Sequence, residues 1–575
     1  MTTQRRRREM REGVKPLSEK DIGIHEYLNC EDRGIGGVLR LRCSDFLVDE
    51  IRDRDGLVCT EGSTYASTVR EAMEKRDDES KQHLRFVLAK AKISTVNAVK
   101  TMAQFANLRP ASLNFAGLKD SKAITTQEIT IREKEPRALD GLNMENIQLS
   151  HFKYVHRGLR PGYNRGNRFQ IIIRGANGNQ EQVERIVRHI STKGFVNYFG
   201  KQRFSGTATR NQNCARFYLR REYANVVDAA LRCPAYGCGS KEEMEARRSW
   251  TDFQDASMAL KKMPKHLHFE RQLLKGLIDA LQYEGSSLTH EERCRTAFLA
   301  VPFPDRLLCV NAYFSRIWNL CASERVSECR DIIEGDVVVV RGEKTDRNRV
   351  KKEYRIVTKE DVRKKRFRFC DVVIPLPGSK SIFPTHRIGT FMKMFLQYEG
   401  VSNFDFKIEK SISRDEDIHE IFGAYRTVVA LPMENRVDFV PVKLEKVGMP
   451  IFPCWKKNLS PSKIFHVDET HDRIVRELAE SVEKREITAK SVNGFQEQRS
   501  NDFFPHRCKS NDSKKPYVAL CFRFALRPGT YATSLLREIQ KGEMHSLKRS
   551  SRHIIFDDDD DDKSDSGNVK RRRCI

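Results

Sequence analysis

Asn114-Phe115-Ala116-Gly117-Leu118-Lys119-Asp120-Ser121-Lys122-Ala123-Ile124-Thr125-Thr126-Gln127 joins two short apolar runs through a glycine turn. Leu113 to Ala116 predicts a strand and Gly117 to Lys122 a tight loop. Thr126 to Ile131, where Ile129 and Ile131 alternate with polar neighbours, predicts a second strand. The loop projects one carboxylate, Asp120, between Lys119 and Lys122. Cations on both sides favour a negative carboxylate, the form a nucleophile needs. Aspartate is also an ordinary turn residue. Local chemistry alone leaves both readings open.

Outward from this loop, strands and helices alternate. His83 to Ala91 reads as a strand, and Ser94 caps a helix with Val96, Val99, Ala103 and Ala106 on its apolar face, ended by Pro110. Asn167 to Arg174 reads as a further strand. Asn179 with Gln182 makes a capping pattern for a helix that buries Val183, Ile186, Val187 and Ile190 and stops at Gly194. Residues 206–420 differ: they are richer in helix and include a basic segment from Lys344 to Arg368, where Phe367 and Phe369 interleave with arginines. Sheet-like alternation returns at Tyr425 to Leu431 and at Tyr517 to Leu526. This predicts helices packed on a sheet, α/β or α+β, with 206–420 inserted into a sheet domain formed by 21–205 and 421–545. Residues 1–20, with Arg5 to Arg8, and 546–575, with Asp557 to Asp562 and Lys570 to Arg573, read as solvated tails. Their basic clusters suit nuclear-import signals, so nuclear residence is expected, with cytoplasmic residence as the alternative. No repeat recurs at solenoid periods.

Of the 575 residues, 104 are Lys or Arg and 79 Asp or Glu, a net charge of +25. Residues 21–545 carry +20 of it, so the excess belongs to the body and not to the tails. A surface so basic favours polyanions, nucleic acid foremost. No run approaches the roughly 18 to 20 apolar residues of a spanning helix, and no membrane association is expected. The fifteen cysteines contain no C-x-x-C, and Cys233 and Cys238 lack a histidine partner at zinc-finger spacing. Neither metal nor disulfide is assigned. Gly34, Gly36 and Gly37 lack the strand–helix setting of a dinucleotide loop.

The quoted loop resembles the Gly-x-Lys-Asp motif of the TruD family of RNA pseudouridine synthases, and further stretches resemble that family in order. They are Asp21-Ile22-Gly23-Ile24, Gly37-Val38-Leu39-Arg40, Asp45-Phe46-Leu47-Val48-Asp49-Glu50, Gly166-Asn167-Arg168-Phe169 and Asn197-Tyr198-Phe199-Gly200-Lys201-Gln202-Arg203-Phe204. Leu376-Pro377-Gly378, Leu526-Arg527-Pro528-Gly529-Thr530-Tyr531-Ala532-Thr533 and Leu536-Arg537-Glu538 follow. Length and starting segment are more similar to the eukaryotic, Pus7-like branch.

The resemblance implies a pseudouridine synthase fold, α+β with a mostly antiparallel mixed sheet, interrupted by a TRUD-type inserted domain. It implies isomerisation of uridine in tRNA, and in mRNA or other RNA, by Asp120 without metal or organic cofactor, in a monomer. Arg40, Lys119, Gln127, Asn167 and Phe169 are the implied supports, Phe169 as an aromatic face for a flipped base or as a core residue of its strand. Tyr198, Lys201, Gln202 and Arg203 are expected at the RNA or bracing the site, and Lys364, Lys365 and Arg366 on the RNA backbone. Arg40 stands where the family usually has Lys, and Cys43-Ser44 replaces its usual Pro-x. Arg and Lys differ at a positioned site, so the rival is an RNA-binding protein that kept the fold with weakened catalysis.

Overall fold

The apolar stretches sort into two principal sheets in a computed structural model of the chain. It describes residues 18–444, 471, 473–480 and 517–542, apart from 53–55, 57, 59–65, 133–138, 141, 143, 205–207, 234–239, 283–287, 345–349, 402–405 and 411–417. The basic and acidic runs of both tails lie outside these residues. So do Arg347 and Arg349 of the basic segment.

The larger sheet is built from β1 (Val38–Leu39), β2 (Phe46–Arg52), β3 (His83–Ala91), β4 (Leu113–Phe115), β5 (Ile124–Ile131), β6 (Ile147–Val155), β7 (Asn164–Arg174) and two late strands, Val437–Leu444 and Tyr517–Leu526. Its order runs from Val437–Leu444 through Tyr517–Leu526, β7, β2, β5 and β3 to β6, with β1 on β7 and β4 on β5. Every pairing is antiparallel except β2 with β5, where Leu47, Val48 and Asp49 face Ile124, Thr125 and Thr126. The expected mostly antiparallel mixed sheet is therefore present. All seven residues of β2 and all eight of β5 are buried. Alternation is muted in β5 because helices or loops cover both of its faces.

The helix Gln180–Lys193 lies on one face, its Val183, Ile186, Val187 and Ile190 packed with Ile171, Ile173, Phe522 and Phe524 of the sheet. Asn179 caps it by accepting the Gln182 amide at 2.9 Å. The helix Ala532–Gln540 joins the same core through Leu535, Leu536 and Ile539. Gly34 and its neighbours dock against that helix: a Cβ at Gly34 would lie 2.0 Å from the Gln540 carbonyl oxygen. Gly34 thus serves close backbone packing, as does Gly37 against Ile173 and Arg174. On the other side of the chain's course, Ser94 caps Thr95–Phe105 by accepting the Asn97 amide at 3.1 Å. That helix buries Ala98, Val99, Met102 and Ala103. Val96, expected on the apolar face, is 43% exposed.

Seven described helices between Ala208 and Glu328 make a second core, centred on Phe303–Glu328, in which Trp318 is fully buried. Ile22, Ile24, Tyr198 and Phe199 belong to it. A four-stranded sheet flanks it, with Val350–Ile356, Val337–Lys344, Val372–Leu376 and Ala424–Thr427 in that order. The segment around Phe367 alternates arginine and phenylalanine without forming a strand. Lys359–Arg363 is helical and Phe369–Asp371 a 3-10 turn, not a strand. Phe367 and Phe369 pack against the helical core, with the guanidinium groups of Arg355 and Arg325 over their rings. They do not form an open stacking face. No helix among the described residues is long and apolar enough to cross a membrane.

Candidate active site

The parallel step between β2 and β5 brings the loop before β5 against the centre of the sheet. Three buried polar side chains, Thr95, Gln127 and Lys90, then fix it. Thr95 Oγ1 accepts the Lys119 amide at 3.0 Å and donates to Gln127 Oε1 at 2.8 Å. Gln127 Nε2 donates to the Gly117 carbonyl at 3.0 Å. The third is Lys90, whose ammonium donates to the carbonyl oxygens of Ile93 and Asp120 at 2.9 Å and of Lys119 at 3.4 Å. Three donors meet three acceptors, so a buried cation holds the backbone of Asp120 itself. Burial pushes the Lys90 ammonium down to about 8, opposed by the pull of Asp120.

With its backbone pinned, Asp120 directs its carboxylate into a cleft of about 490 Å³, of ligand size. Its Oδ2 accepts Arg40 Nη2 at 2.6 Å and its Oδ1 accepts Gln202 Nε2 at 3.0 Å. Arg40 is set by its own surroundings. Its φ is +55°, in the left-handed region that non-glycine residues seldom occupy, and its guanidinium lies 3.9 Å from the centroid of the Phe46 ring. Ion pair and ring contact together offset that backbone strain. Arginine's planar guanidinium does both tasks at once, pairing through its edge and covering the ring with its face.

The other expected residues divide. Lys119 does not reach Asp120: its Nζ is buried against Glu50 Oε2 at 2.6 Å. The cation beside the carboxylate is Arg40. Gln127 serves the loop backbone as described. Phe169 is 7% exposed, stacked on Phe524 at 5.4 Å and edge-on to Phe46 at 6.3 Å, and it does not line the cleft. It is a core residue here. Asn167 faces Glu50 and Leu526 on neighbouring strands, and its Oδ1 is buried without a partner among the described residues. Tyr198, expected at the RNA, is 1% exposed; its hydroxyl bonds Ser323 Oγ at 2.8 Å and accepts the Glu26 amide. Burial pushes that phenol up to about 12. Its role is bracing.

Lys201 and Gln202 are exposed and line the cleft. Arg203 instead turns to Ser315 Oγ at 3.3 Å, tying the signature to the helix Phe303–Glu328. Lys364, Lys365 and Arg366 are exposed on the second sheet's flank, Lys364 paired with Glu360 and Arg366 with Asp361 at 2.9 Å.

Sequence reasoning missed Lys90, Thr95, Glu50 and Arg426. The one available signal for Lys90 was a cation set among Val87, Leu88, Ala89 and Ala91 in the apolar half of its strand. Arg426 is half-buried at the junction: it donates to the Asn197 carbonyl and to the Gly529 carbonyl, each at 2.6 Å, and stacks 4.1 Å over Phe199. It thereby locks the Asn197–Phe204 signature to the Leu526–Thr533 segment. Nothing local in the sequence announces that.

Architecture and cleft together define the class. The fold is that of a crystal structure described as a putative tRNA pseudouridine synthase D (TruD) from Methanosarcina mazei, with a TM-score of 0.57 at 22% identity, covering 92% of this chain and 98% of that one. The model of the family described as tRNA pseudouridine synthase D (TruD) matches residues 21–443. The chain belongs to the TruD family. Relatives include the Mus musculus pseudouridylate synthase 7 homolog, 27% identical over 80% of this chain and 59% of that protein. A probable tRNA pseudouridine synthase D of Thermococcus onnurineus is 27% identical over 90% of this chain and 97% of its own length. The chain thus spans about three-fifths of the length of the mammalian pseudouridylate synthase 7 homologs it matches.

Proposed function

We propose that this protein is an RNA pseudouridine synthase that converts uridine to pseudouridine in tRNA, and in mRNA or other RNA. The observation that carries the proposal is Asp120, held by Arg40 and Gln202 in a cleft of nucleotide size at the family's Gly-x-Lys-Asp loop. Its relatives' names, pseudouridylate synthase and probable tRNA pseudouridine synthase, support it.

The chemistry asks for one well-placed carboxylate. The N1–C1′ bond breaks, the uracil turns, C5 bonds to C1′, and the C5 proton leaves while N1 gains one. Substrate and product are isomers, so no oxidant or co-substrate enters the balance. Asp120 serves by attacking C1′ or by stabilising an oxocarbenium-like C1′ and moving a proton. Reaching either requires the base to leave its stack. Exposed Lys122 and Lys201 at the cleft, on a body of charge +20, support backbone binding. Residues 206–420 are proposed as the inserted domain, and the basic runs at both ends support nuclear residence.

Tritium release from tRNA transcripts labelled at uridine C5 tests the activity, because the C5 hydrogen must exchange. Release that tracks enzyme concentration is expected. An RNA-binding protein with the same fold would bind the transcripts and release none.

A further inference from the structure

The strands that carry the supports of the Asp120 loop present their neighbouring residues to the opposite face, as strand alternation requires. On β2, Glu50 holds Lys119 while Asp49 turns away. On β3, Lys90 holds the Asp120 carbonyl while Ala89 and Ala91 turn away. On β5, Gln127 holds the Gly117 carbonyl while Thr126 turns away to Asp49. A helix lies on that far side. Residues 473–480 are helical, and Ile474, Val475, Leu478 and Ala479 make an apolar stripe at helical spacing. The stripe is buried with Cys43, Leu47, Ala89, Ala91 and Ile124.

Its polar fastening is His471. An ionised carboxylate only accepts hydrogen bonds, so His471 Nε2 donates to Asp49 Oδ1, at 2.8 Å. Thr126 Oγ1 donates to the same oxygen at 2.9 Å, and Arg168 of β7 gives Nε and Nη2 to Oδ2 at 3.0 and 2.9 Å. Arg168 Nη2 also lies 3.3 Å from the histidine Nε2. One carboxylate therefore joins β2, β5, β7 and the helix segment. The His471 and Asp49 side chains are each 6% exposed. Burial opposes the charge on Asp49, yet His471 and Arg168 hold its carboxyl well below the usual carboxylate range.

We propose that this helix is a backing plate for the Asp120 loop and that His471 is the positioning residue that fastens it. Ala89 and Ala91 bracket Lys90, so slippage of the helix lets β3 move, and with it the ammonium that holds the Asp120 backbone. Lys122 and Lys201 belong to the cleft and not to the helix side. Loss of the fastening thus lowers the rate of the chemical step and spares RNA binding. This rests on the isomerase reading above.

The test combines single-turnover tritium release at saturating C5-labelled tRNA transcript, equilibrium binding of that transcript, and hydrogen exchange over residues 113–127. It compares wild type with His471→Leu, His471→Gln, Leu478→Ala and the control Arg476→Ala, an exposed residue of the same helix. His471→Leu and Leu478→Ala are expected to lower the rate about tenfold or more, as a slightly misplaced reacting group does, with RNA affinity within about twofold of wild type. Exchange over 113–127 should quicken in both. His471→Gln, whose Nε2 can still donate to Asp49, is expected to match wild type, as is Arg476→Ala. If His471→Leu does not fold, Leu478→Ala, which leaves the Asp49 contacts in place, decides alone. Wild-type rate and exchange in the folded variants overturn the proposal. Weakened RNA binding at an unchanged rate does so too, as does a His471→Gln as slow as His471→Leu. If wild type itself releases no tritium, the isomerase reading fails, and the exchange comparison alone decides the backing role.

Discussion

Arg40 Nη2 sits 2.6 Å from Asp120 Oδ2 across 80 positions of sequence, and the same guanidinium covers the Phe46 ring. The arginine that departs from the family's usual lysine is thus the direct partner of the carboxylate. Arg40→Ala should release the carboxylate from its orientation and lower kcat about a hundredfold, the scale of a misplaced reacting group. Arg40→Lys keeps the charge, gives up the stacking on Phe46, and should stay within about tenfold of wild type. Single-turnover tritium release checks both. A near-normal Arg40→Ala would show that the ion pair does not position Asp120.

Asp45 belongs to a motif yet does not reach the cleft. Its carboxylate takes Arg174 Nη2 at 2.6 Å and Nε at 2.9 Å, and both side chains are 0% exposed. Asp45→Asn leaves a buried guanidinium without its charge partner, which costs about 3–5 kcal/mol. Urea denaturation should show that loss, while protein that remains folded should turn over at close to the wild-type rate. Unaltered stability would contradict the buried pair.

Lys90 makes stability depend on pH in a defined sense. Its folded pKa of about 8 lies below the ~10.4 of an unfolded chain. Between those values the unfolded chain holds more protons, so stability rises with pH there, and below pH 8 the contribution is flat. The stability difference between wild type and Lys90→Met, from urea denaturation, should therefore shift in favour of wild type from pH 8 to pH 9.5. A neutral amine has two donors for three carbonyls, so the hold on the loop weakens as this happens, and tritium release should fall over the same range. A pH-independent difference would contradict the assignment.

The basic flank of the second sheet is partly neutralised: Lys364 pairs with Glu360 and Arg366 with Asp361. Lys365, between them, is exposed. Replacing Lys364, Lys365 and Arg366 with Ser should weaken RNA binding and reduce the salt slope, by roughly 0.7 for each single-strand phosphate that is no longer neutralised. Single-turnover rate at saturating RNA should hardly change. Unaltered binding with a collapsed rate would show that this flank does not hold the RNA backbone.

How much of the fold and site is legible in the sequence varies with the range of the interaction. His83–Ala91 and Tyr517–Leu526 can be bounded from sequence because strand patterning is local, and Asn179 and Ser94 are caps that act within three residues. Val96 falls on the apolar face by spacing yet points into solvent, because helical spacing fixes neighbours but not which stripe the sheet covers. Adjacency makes Lys119 the obvious partner of Asp120, yet its ammonium is drawn to Glu50 from a strand 69 positions away. The same limit hides Lys90, whose partners are backbone carbonyls that carry no residue identity, and Arg426, whose partners lie more than 100 positions away in sequence. Tyr198 and Phe169 share a lesson: an aromatic inside a motif is as able to build the core beneath a site as to line it.

The most direct test of the central claim is tritium release by Asp120→Asn beside wild type, on C5-labelled tRNA transcripts, with RNA binding measured on the same samples. Asparagine keeps the size and accepts one hydrogen bond, but it is neither nucleophile nor base. It also removes a negative charge beside a polyanion. The account predicts a folded protein that binds RNA as tightly as wild type or slightly tighter and releases no tritium. Appreciable release by a sequence-verified Asp120→Asn sample would contradict it.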